Sequence, residues 1–343
     1  MNNGVTLKKR VIFRGAIIVN KRVSVVITTY KRPITLERAI KSVLNQTYDN
    51  IEIIVVDDND EESEYRKITQ DIMTKYEKNK KIKYIKHKLN KNGAAARNTG
   101  IDNSSGEYIT FLDDDDELLK DKIKLQVEKL DNMPIEYGVV YSGYEIIRNN
   151  RLIKKKNVSK EGILSKELLK LDWGFGSGSN PLFRKEVFDV IGYFDTSFRR
   201  HQDWEVMLRT FEHYRICSIC KILLRIYSDS KINVPDPETY ILIKEKYLLK
   251  FNKYIEGLDE RDRNIIYKKQ WLVVAKLFLM KGDYKKYKIF FKRANSYSKI
   301  TMIEKIKLTF NRVVSNATWI YNFLDLVCAN RIKIKNFLNN MLN

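Results

Sequence analysis

Three apolar runs, each ending in polar or acidic residues, constrain the fold of this 343-residue chain more than any other feature. They span 23–29, 51–56 and 108–112 and are rich in Val, Ile and other residues that favour strands buried on both faces. Segments with helical spacing of apolar residues, such as 35–44 and 64–76, lie between them. The alternation predicts an α/β fold: a doubly wound, mainly parallel sheet flanked by helices, with a helical region at the C-terminal end.

Four consecutive aspartates, Asp113 to Asp116, follow the third run and precede Glu117. Neighbouring carboxylates repel one another and Asp is a poor strand residue, so folding does not explain the cluster. At the carboxyl edge of a sheet, the same oxygens are suited to holding a hard divalent cation. The first two runs end at Thr29 and at Asp57-Asp58, so we expect three strand ends to converge on one crevice. A solvated acidic turn that opens the next helix is the alternative.

The chain carries a formal net charge of +21 and is most basic beyond residue 236. Such a charge is typical of proteins that bind a phosphorylated substrate, an anionic membrane surface or nucleic acid, although a general enrichment in Lys explains it equally well. Cys217 and Cys220 form a lone C-x-x-C without a second pair at zinc spacing, and so few cysteines fit a reducing cytoplasm. No apolar stretch reaches membrane-spanning length. We therefore expect a cytoplasmic protein, or one bound peripherally to the inner face of the plasma membrane.

Five segments in order resemble the motifs of one enzyme family. They are the strand 23–30 (VSVVITTY), the acids in 55–60 (VVDDND), the segment 92–100 (NGAAARNTG), the run 111–116 (FLDDDD) and the pair GYFD and QDWE within 192–205. Together they resemble family 2 glycosyltransferases of the inverting, bacterial surface-polysaccharide type, which have a GT-A fold. The resemblance extends over residues 23–230.

The resemblance implies four regions. They are an N-terminal extension (1–22), the nucleotide-sugar-binding half of the GT-A domain (23–133), its acceptor-binding half (134–235) and a basic helical C-terminal region (236–343). The prolines at 235 and 237 favour the last boundary.

A set of donor-binding residues also follows from the resemblance. The nucleotide sugar would contact Thr29, Tyr30, Arg32, Asp57, Asp58, Arg97, Asp113 and Asp114. Asp58, with Asp57 as the second choice, would accept a hydrogen bond from the uracil imide, while the other acid caps a helix. Arg97 would bind the diphosphate or form a salt bridge with the acidic cluster. Asp114 occupies a variable position of the family motif, so its side chain is expected to be solvated.

The same motif implies a metal site for Mn²⁺ or Mg²⁺. Asp115 would bind the cation directly, and Asp113 would approach it through water or contact the ribose. Asp116 would serve as a second ligand or cap the next helix. The cation would neutralise charge on the departing diphosphate. Tyr227 stands where many family members have His, which leaves a third protein contact to the metal in doubt.

Asp203 is the predicted general base for the acceptor hydroxyl. Glu205 is the alternative, although in a helix it would point about 200° away. His201 is expected to pack rather than to touch substrate. On the acceptor side we place Trp173, Ser177 and Trp204, with the glycine- and serine-rich segment 173–180 as a mobile loop; a core role for Trp204 and an ordinary surface loop are the alternatives.

The predicted function is metal-dependent transfer of a sugar, with inversion, from a nucleoside-diphosphate sugar to a glycan, glycolipid or glycoprotein in surface polysaccharide or glycoconjugate synthesis. The nucleoside would be uridine or thymidine. One alternative is a sugar nucleotidyltransferase, which needs a glycine-rich loop that is missing from Tyr30–Pro33. Another is a non-catalytic protein that binds nucleotide sugars or RNA, but no RNA-binding signature appears and no nucleic acid is expected. The basic C-terminal segment would lie on an anionic membrane, pack on the protein or form a homodimer contact.

Overall fold

The computed structural model describes residues 20–228, 236–306 and 308. The predicted N-terminal extension lies almost entirely outside the described residues. The same is true of the C-terminal segment beyond residue 308, for which membrane, packing and dimer roles are predicted, and of the boundary at 235.

Nine strands within the described residues form one mixed sheet. They are β1 (Val23–Thr29), β2 (Ile51–Asp57), β3 (Ile82–Lys86), β4 (Tyr108–Asp113), β5 (Glu117–Leu118), β6 (Tyr137–Arg148), β7 (Arg151–Lys156), β8 (Leu182–Arg184) and β9 (Arg215–Tyr227). The order is β3-β2-β1-β4-β8-β6-β9-β5, with β7 paired to the edge of β6.

Helices cover both faces of the sheet. They are α1 (Pro33–Leu44), α2 (Glu64–Thr74), α3 (Gly93–Asp102), α4 (Lys122–Asp131), α5 (Ser165–Leu169), α6 (Glu186–Ile191), α7 (Gln202–Thr210), α8 (Pro237–Lys250), α9 (Asn252–Glu256), α10 (Glu260–Lys281) and α11 (Tyr284–Tyr297). None of these helices is both long enough and apolar enough to cross a membrane.

The register of the parallel strands places the predicted site residues side by side. Thr29 of β1 is paired with Asp57 of β2, and Thr28 is paired with Asp113 of β4. Convergence of the three strand ends is therefore confirmed, as is the α/β architecture with helices on both faces of the sheet. The parallel character holds for β3-β2-β1-β4, whereas β8 joins β4 antiparallel and leads into a mixed second half.

Alternating strand residues fill two separate cores, as the two-residue period of a strand requires. Val25 and Ile27 face the core beneath α1 and α4, while Val26 faces the core that contains α3. Helix α3 packs very close to β1, since a Cβ added to Gly100 would lie 2.2 Å from a methyl of Val26. This close approach brings the start of α3 to the carboxyl ends of the strands.

The C-terminal helices belong to the same core as the sheet. The core that contains α3 continues through α5 and α7 into α8, α10 and α11. Lys244 of α8 is fully buried at this junction: its Nζ donates to Oε1 of Gln270 at 2.7 Å and lies 5.2 Å from the ring centre of Trp204 in α7. Burial lowers the pKa of Lys244 to about 7. Helix α8 ends at Lys250 and α9 begins at Asn252, with Phe251 as the residue between them.

Candidate active site

A cleft of about 370 Å³ lies at the carboxyl ends of β1, β2 and β4 and at the start of α3. Of the residues predicted from sequence, it is lined by Thr29, Tyr30, Arg32, Asp58, Arg97 and Asp113. The remaining lining residues were not predicted; they are Thr28, Asn90, Asn92, Gly93, Ala96, Arg199 and Gln202. The cleft thus combines two carboxylates with several cations and amides, a lining suited to a polar, anionic ligand.

The two adjacent aspartates at the end of β2 have different environments. Asp57 is fully buried, and its carboxylate accepts hydrogen bonds from Asn59 and Tyr84 and pairs with Arg66 at 3.2 Å. Asp58 lines the cleft. The second-choice assignment of Asp57 to the nucleotide is therefore wrong, because Asp57 does not line the cleft, whereas Asp58, although only 2% exposed, does. Asp57 does not cap α2 either, since Ser63 occupies that position.

The carboxylate of Asp58 is held in a fixed orientation. Its Oδ1 lies 2.7 Å from Nδ1 of His87 and accepts from the backbone N–H of Lys91 at 2.8 Å, while Oδ2 accepts from Nδ2 of Asn90 at 2.8 Å. The other ring nitrogen of His87 lies 2.9 Å from the hydroxyl of Thr99. A carboxylate fixed by this many partners is ready to accept one further hydrogen bond without reorganising.

Arg97 crosses the floor of the cleft from helix α3. Its guanidinium donates to Oδ1 of Asp113 at 2.7 Å and to Oε1 of Gln202 at 2.7 Å. The predicted salt bridge between Arg97 and the acidic cluster is therefore present.

Residues 113 to 116 form a tight turn in which the backbone N–H of Asp116 donates to the carbonyl of Asp113 at 3.0 Å. Asp114 points inward, where it is completely buried and pairs with Arg32 at 2.8 Å. Burial raises the pKa of its carboxyl to about 7. The expectation that Asp114 is solvated is wrong, because the turn directs it beneath the loop after β1. Asp114 does not line the cleft either. Its carboxylate contacts Arg32 and the backbone N–H of Tyr30 beneath the loop.

Asp115 is paired with the second nitrogen of the same arginine, Arg32. Its backbone carbonyl also accepts from Arg38 at 2.6 Å. Burial raises the pKa of Asp115, and the positive charge of Arg32 opposes that rise. One guanidinium therefore spans two of the four aspartates.

Asp116 is turned toward the loop 173–180 instead of the cleft. Its Oδ2 accepts from the hydroxyls of Ser177 at 2.8 Å and Ser179 at 2.6 Å, and burial raises its pKa well above the usual value. Helix α4 begins only at Lys122, so Asp116 is not a helix cap. Ser177 thus supports the acidic turn, and its predicted place on the acceptor side stays a prediction.

The segment 173–180 is pinned to the fold along its length. Trp173 is 6% exposed, donates from Nε1 to the hydroxyl of Tyr141 at 2.9 Å and packs against Phe175 and Phe211. Nδ2 of the buried Asn180 donates to two backbone carbonyls. The acceptor contact predicted for Trp173 is therefore wrong, because its ring is buried, while the mobility of the segment stays a prediction. Ser177, Ser179 and Asn180 form the hydrogen bonds that join the segment to buried polar groups.

Asp203 lies in the first turn of α7, directly after Gln202, which lines the cleft. A Cβ added to Gly178 would lie 3.7 Å from both the Arg97 guanidinium and Cβ of Asp203, so these two side chains are neighbours. Burial raises the pKa of Asp203 to about 6, while the charge of Arg97 acts in the opposite direction. A carboxylate with such a pKa is a stronger base than an ordinary aspartate and is still ionised near neutral pH.

Glu205 points to the other side of α7, as helical geometry predicts. Its carboxylate is fully buried and pairs with Arg209 at 2.6 Å and with Lys250 of α8 at 2.7 Å. The alternative assignment of Glu205 as the base is wrong, because both of its oxygens are paired with Arg209 of the same helix and one of them also with Lys250, which links α7 to α8.

His201 and Trp204 pack against the C-terminal helices. Their rings stack 4.6 Å apart, and Tyr247 contacts both. Burial lowers the pKa of His201 to about 2, so its ring stays neutral. The packing role predicted for His201 is confirmed. For Trp204, the structure supports the core alternative over the acceptor contact.

Residues 24–192 match the protein-family model described as glycosyl transferase family 2. The chain belongs to this family. Two curated relatives are a GalNAc(5)-diNAcBac-PP-undecaprenol β-1,3-glucosyltransferase of Campylobacter jejuni (37% identical over 41% of this chain and 41% of the relative) and the UDP-Glc:α-D-GlcNAc-diphosphoundecaprenol β-1,3-glucosyltransferase WfgD of Escherichia coli (29% identical over 62% and 79%). The chain spans less than half the length of several curated relatives that it matches.

Among solved structures, the fold of this family 2 chain is similar to that of Staphylococcus aureus TarS 1-349 in complex with UDP-GlcNAc. The TM-score is 0.58 at 15% sequence identity, over 86% of this chain and 91% of the other. This similarity confirms the GT-A fold and includes much of the C-terminal helical region.

The acids of this family 2 domain fit the predicted cation in part. Among the described residues, no group of three His, Cys, Asp or Glu side chains comes together as metal ligands. Asp113 and Asp115 keep partly exposed side chains (28% and 18%), whereas Asp114 and Asp116 are buried. Mg²⁺ is commonly held by one or two carboxylates while substrate phosphates supply further oxygens. Asp113 and Asp115 suit that arrangement, and the buried Asp116 does not suit the ligand role predicted for it.

Two residues that hold side chains at the cleft, His87 and Gln202, were not predicted from the sequence of the family 2 domain. His87 follows β3 directly, so its place at the carboxyl end of a parallel strand was a usable signal. Gln202 was given no role in the sequence analysis, although its amide oxygen accepts from Arg97 at 2.7 Å. Tyr227, where a histidine was expected, donates from its hydroxyl to Glu117 at 2.9 Å and stacks under Arg38, so it has a structural role away from the cleft.

Proposed function

We propose that this protein transfers a sugar from a UDP-sugar, with inversion, to a hydroxyl of a lipid-linked or other glycan in surface polysaccharide synthesis. One observation carries the proposal: Asp58, Arg97 and Asp113 line a single cleft, and Asp203 lies against Arg97 beside it. The names of the relatives support it, since one acts on a diphosphoundecaprenol-linked sugar with UDP-Glc and another on an undecaprenol-linked glycan. The TarS complex with UDP-GlcNAc supports the choice of uridine.

Asp58 would recognise the base. The uracil imide N–H would donate to the carboxylate that His87 and Asn90 hold in place. Since both partners act on oxygens of a buried group, the carboxylate pays little reorganisation cost when the base arrives. Thr29 and Tyr30 would pack near the same end of the donor.

Arg97 would bind the diphosphate. A guanidinium binds phosphate oxygens with strong, directional hydrogen bonds, and Gln202 keeps this one at the cleft. Asp113 and Asp115 would hold a Mn²⁺ or Mg²⁺ ion, which supplies neutralisation of the charge that develops on the leaving diphosphate.

Asp203 would act as general base. As the acceptor oxygen attacks the anomeric carbon from the face opposite the diphosphate, Asp203 takes the hydroxyl proton. The new bond from the acceptor oxygen to that carbon forms while the bond to the diphosphate oxygen breaks, so UDP leaves with its electron pair and the configuration inverts. The pKa of about 6 leaves most of the Asp203 carboxylates ionised at neutral pH.

A lipid-linked acceptor would bring the enzyme to a membrane surface. The basic residues of the C-terminal region are suited to attraction by anionic lipids, which contributes about 1 kcal/mol for each Lys or Arg close to the surface. We propose this peripheral association as part of the same function. Sedimentation with vesicles containing anionic phosphatidylglycerol, against neutral vesicles, tests it.

The catalytic proposal is tested by release of UDP from a panel of UDP-sugars, with and without Mn²⁺, in the presence of a diphosphoundecaprenol-linked sugar. We expect turnover of at least one UDP-sugar, its loss in Asp203→Asn, and normal turnover in Asp71→Asn, whose side chain is exposed on α2 away from the cleft. Full activity of Asp203→Asn would refute the base assignment. Failure to bind UDP in calorimetry would refute the donor site.

A further inference from the structure

The two acids that suit the metal face different cavities. Asp113 lines the donor cleft, whereas Asp115 lines a neighbouring groove of about 450 Å³ between α1, α2 and the end of β9. Arg32 lines both cavities and lies at the boundary between them. For Asp113 and Asp115 to share one ligand, the boundary has to open.

The guanidinium of Arg32 is fixed at this boundary by two ion pairs. Nη2 lies 2.8 Å from the completely buried carboxylate of Asp114, and Nη1 contacts the carboxylate of Asp115. Asp114 is an anchor that cannot leave the protein interior. Asp115 is partly exposed, so its pairing with Arg32 is the one that a ligand can exchange.

We propose that Arg32 is a gate that withholds Asp115 from the metal until the nucleotide diphosphate is present. This inference rests on the proposed function, since it assumes a diphosphate in the cleft that Arg32 lines. A diphosphate offers the guanidinium more negative charge than one carboxylate does, and it binds Arg with charge-assisted, bidentate hydrogen bonds. Arg32 then turns toward the phosphates, and Asp115 is free to act with Asp113.

The gate makes binding of the cation and binding of the nucleotide cooperative. Without nucleotide, a cation has to compete with Arg32 for Asp115 and binds weakly. With UDP, the competitor is drawn away. Because coupling between two ligands is reciprocal, each ligand strengthens the other by the same factor, and factors of about 5 to 150 are typical.

The test measures Mn²⁺ binding directly, by electron paramagnetic resonance of free Mn²⁺, on the full chain with and without UDP. Wild-type protein should bind Mn²⁺ at least about tenfold more tightly with UDP. Arg32→Met should bind Mn²⁺ about tenfold more tightly than wild type when UDP is absent, since Asp115 no longer has a competing partner.

Arg38→Met is the matched control. Arg38 is as close to Asp115, but it donates to the backbone carbonyl and stacks on Tyr227 at 3.6 Å, so its loss removes the same charge without freeing the carboxylate. A gain in Mn²⁺ affinity of less than about threefold is expected for it. Because Arg32→Met leaves Asp114 buried without its cation, the same measurement on Arg32→Met with Asp114→Asn guards against loss of folding.

The possible outcomes distinguish failure of the Arg32 gate from failure of the proposed transferase function. If Arg32→Met, alone or with Asp114→Asn, binds Mn²⁺ in the absence of UDP no better than Arg38→Met does, the gate is refuted while the transferase proposal stands. If wild-type protein binds no Mn²⁺ even with UDP, the metal dependence and the gate both fall. If Arg32→Met binds Mn²⁺ more tightly than wild type in the absence of UDP and Arg38→Met does not, the gate is established.

Discussion

The guanidinium of Arg97 in α3 donates to the amide oxygen of Gln202 in α7 at 2.7 Å, although 105 residues separate them in sequence. The contact links the helix that would hold the donor diphosphate to the helix that carries the proposed base. We expect Gln202→Leu to weaken UDP binding about tenfold, because a hydrogen bond to a charged group contributes about 1.5–3 kcal/mol. Calorimetry with UDP measures this. Gln202→Glu keeps an acceptor at the same place and should bind UDP at least as well as Gln202→Leu; equal affinity of wild type and Gln202→Leu would contradict the role.

Asp203→Asn should lower kcat by about 10² to 10⁴, the usual contribution of a general base. The change removes the proton acceptor but keeps the size of the side chain, so UDP affinity should change little. Steady-state kinetics and calorimetry measure the two quantities separately. A parallel loss of UDP binding would show that Asp203 acts on the donor instead.

The rate should fall on the acid side of a pH near 6. Asp203 works as a base only when ionised, and burial raises its pKa to about 6, so protonation removes activity as the pH drops through that value. The pH profile of kcat/KM measures the pH at which activity falls on the acid side, provided that the phosphates of the donor do not titrate between about pH 4 and pH 7. An ordinary aspartate would place it near 4, and a fall there would argue against Asp203.

Glu205→Gln should destabilise the fold and spare the chemistry. The change leaves Arg209 and Lys250 without their shared anion, which should lower the free energy of unfolding by about 2 kcal/mol, less than for a fully buried pair because both cations are partly exposed. Urea denaturation measures the loss. A kcat reduced as strongly as in Asp203→Asn would reopen the assignment of the base.

Asp57→Asn and Asp58→Asn change adjacent residues but should affect different properties: the first should lower stability and the second should weaken UDP binding. Asp57→Asn breaks the buried pair with Arg66 and should cost about 3–5 kcal/mol of stability. Asp58→Asn replaces an oxygen acceptor that the uracil imide would use, so it should weaken UDP binding. Denaturation and UDP calorimetry on both variants give the comparison, and unchanged UDP affinity in Asp58→Asn would remove it from the donor site.

The residues at the carboxyl ends of the three strands could be predicted from the sequence alone. Apolar runs buried on both faces are specific to central parallel strands, and the residue after each run has to emerge at the same edge. For this reason the sequence alone places Thr29, Asp58 and Asp113 close together. The helical residue Asp203 followed from its motif, and its separation from Glu205 followed from helical geometry.

Side-chain direction within the acidic turn could not be read in the same way. Asp113, Asp114, Asp115 and Asp116 are adjacent and chemically identical, so only the turn and its partners decide which is buried. Those partners, Arg32 and the serines of the 173–180 loop, are distant in sequence. The composition of that loop is typical of mobility, whereas the hydrogen bonds that its serines and Asn180 form with buried groups are not recorded in any local pattern.

The buried lysine at position 244 has a consequence for engineering. Lys244 joins α8 to the ring of Trp204, the residue that directly follows the proposed base. If that ring is removed, the ammonium group stays buried without contact with water. Chimeras that exchange C-terminal segments between related enzymes will therefore fail when cut at the proline-rich junction. They will need to transplant the stretch from His201 to Thr210 together with the graft.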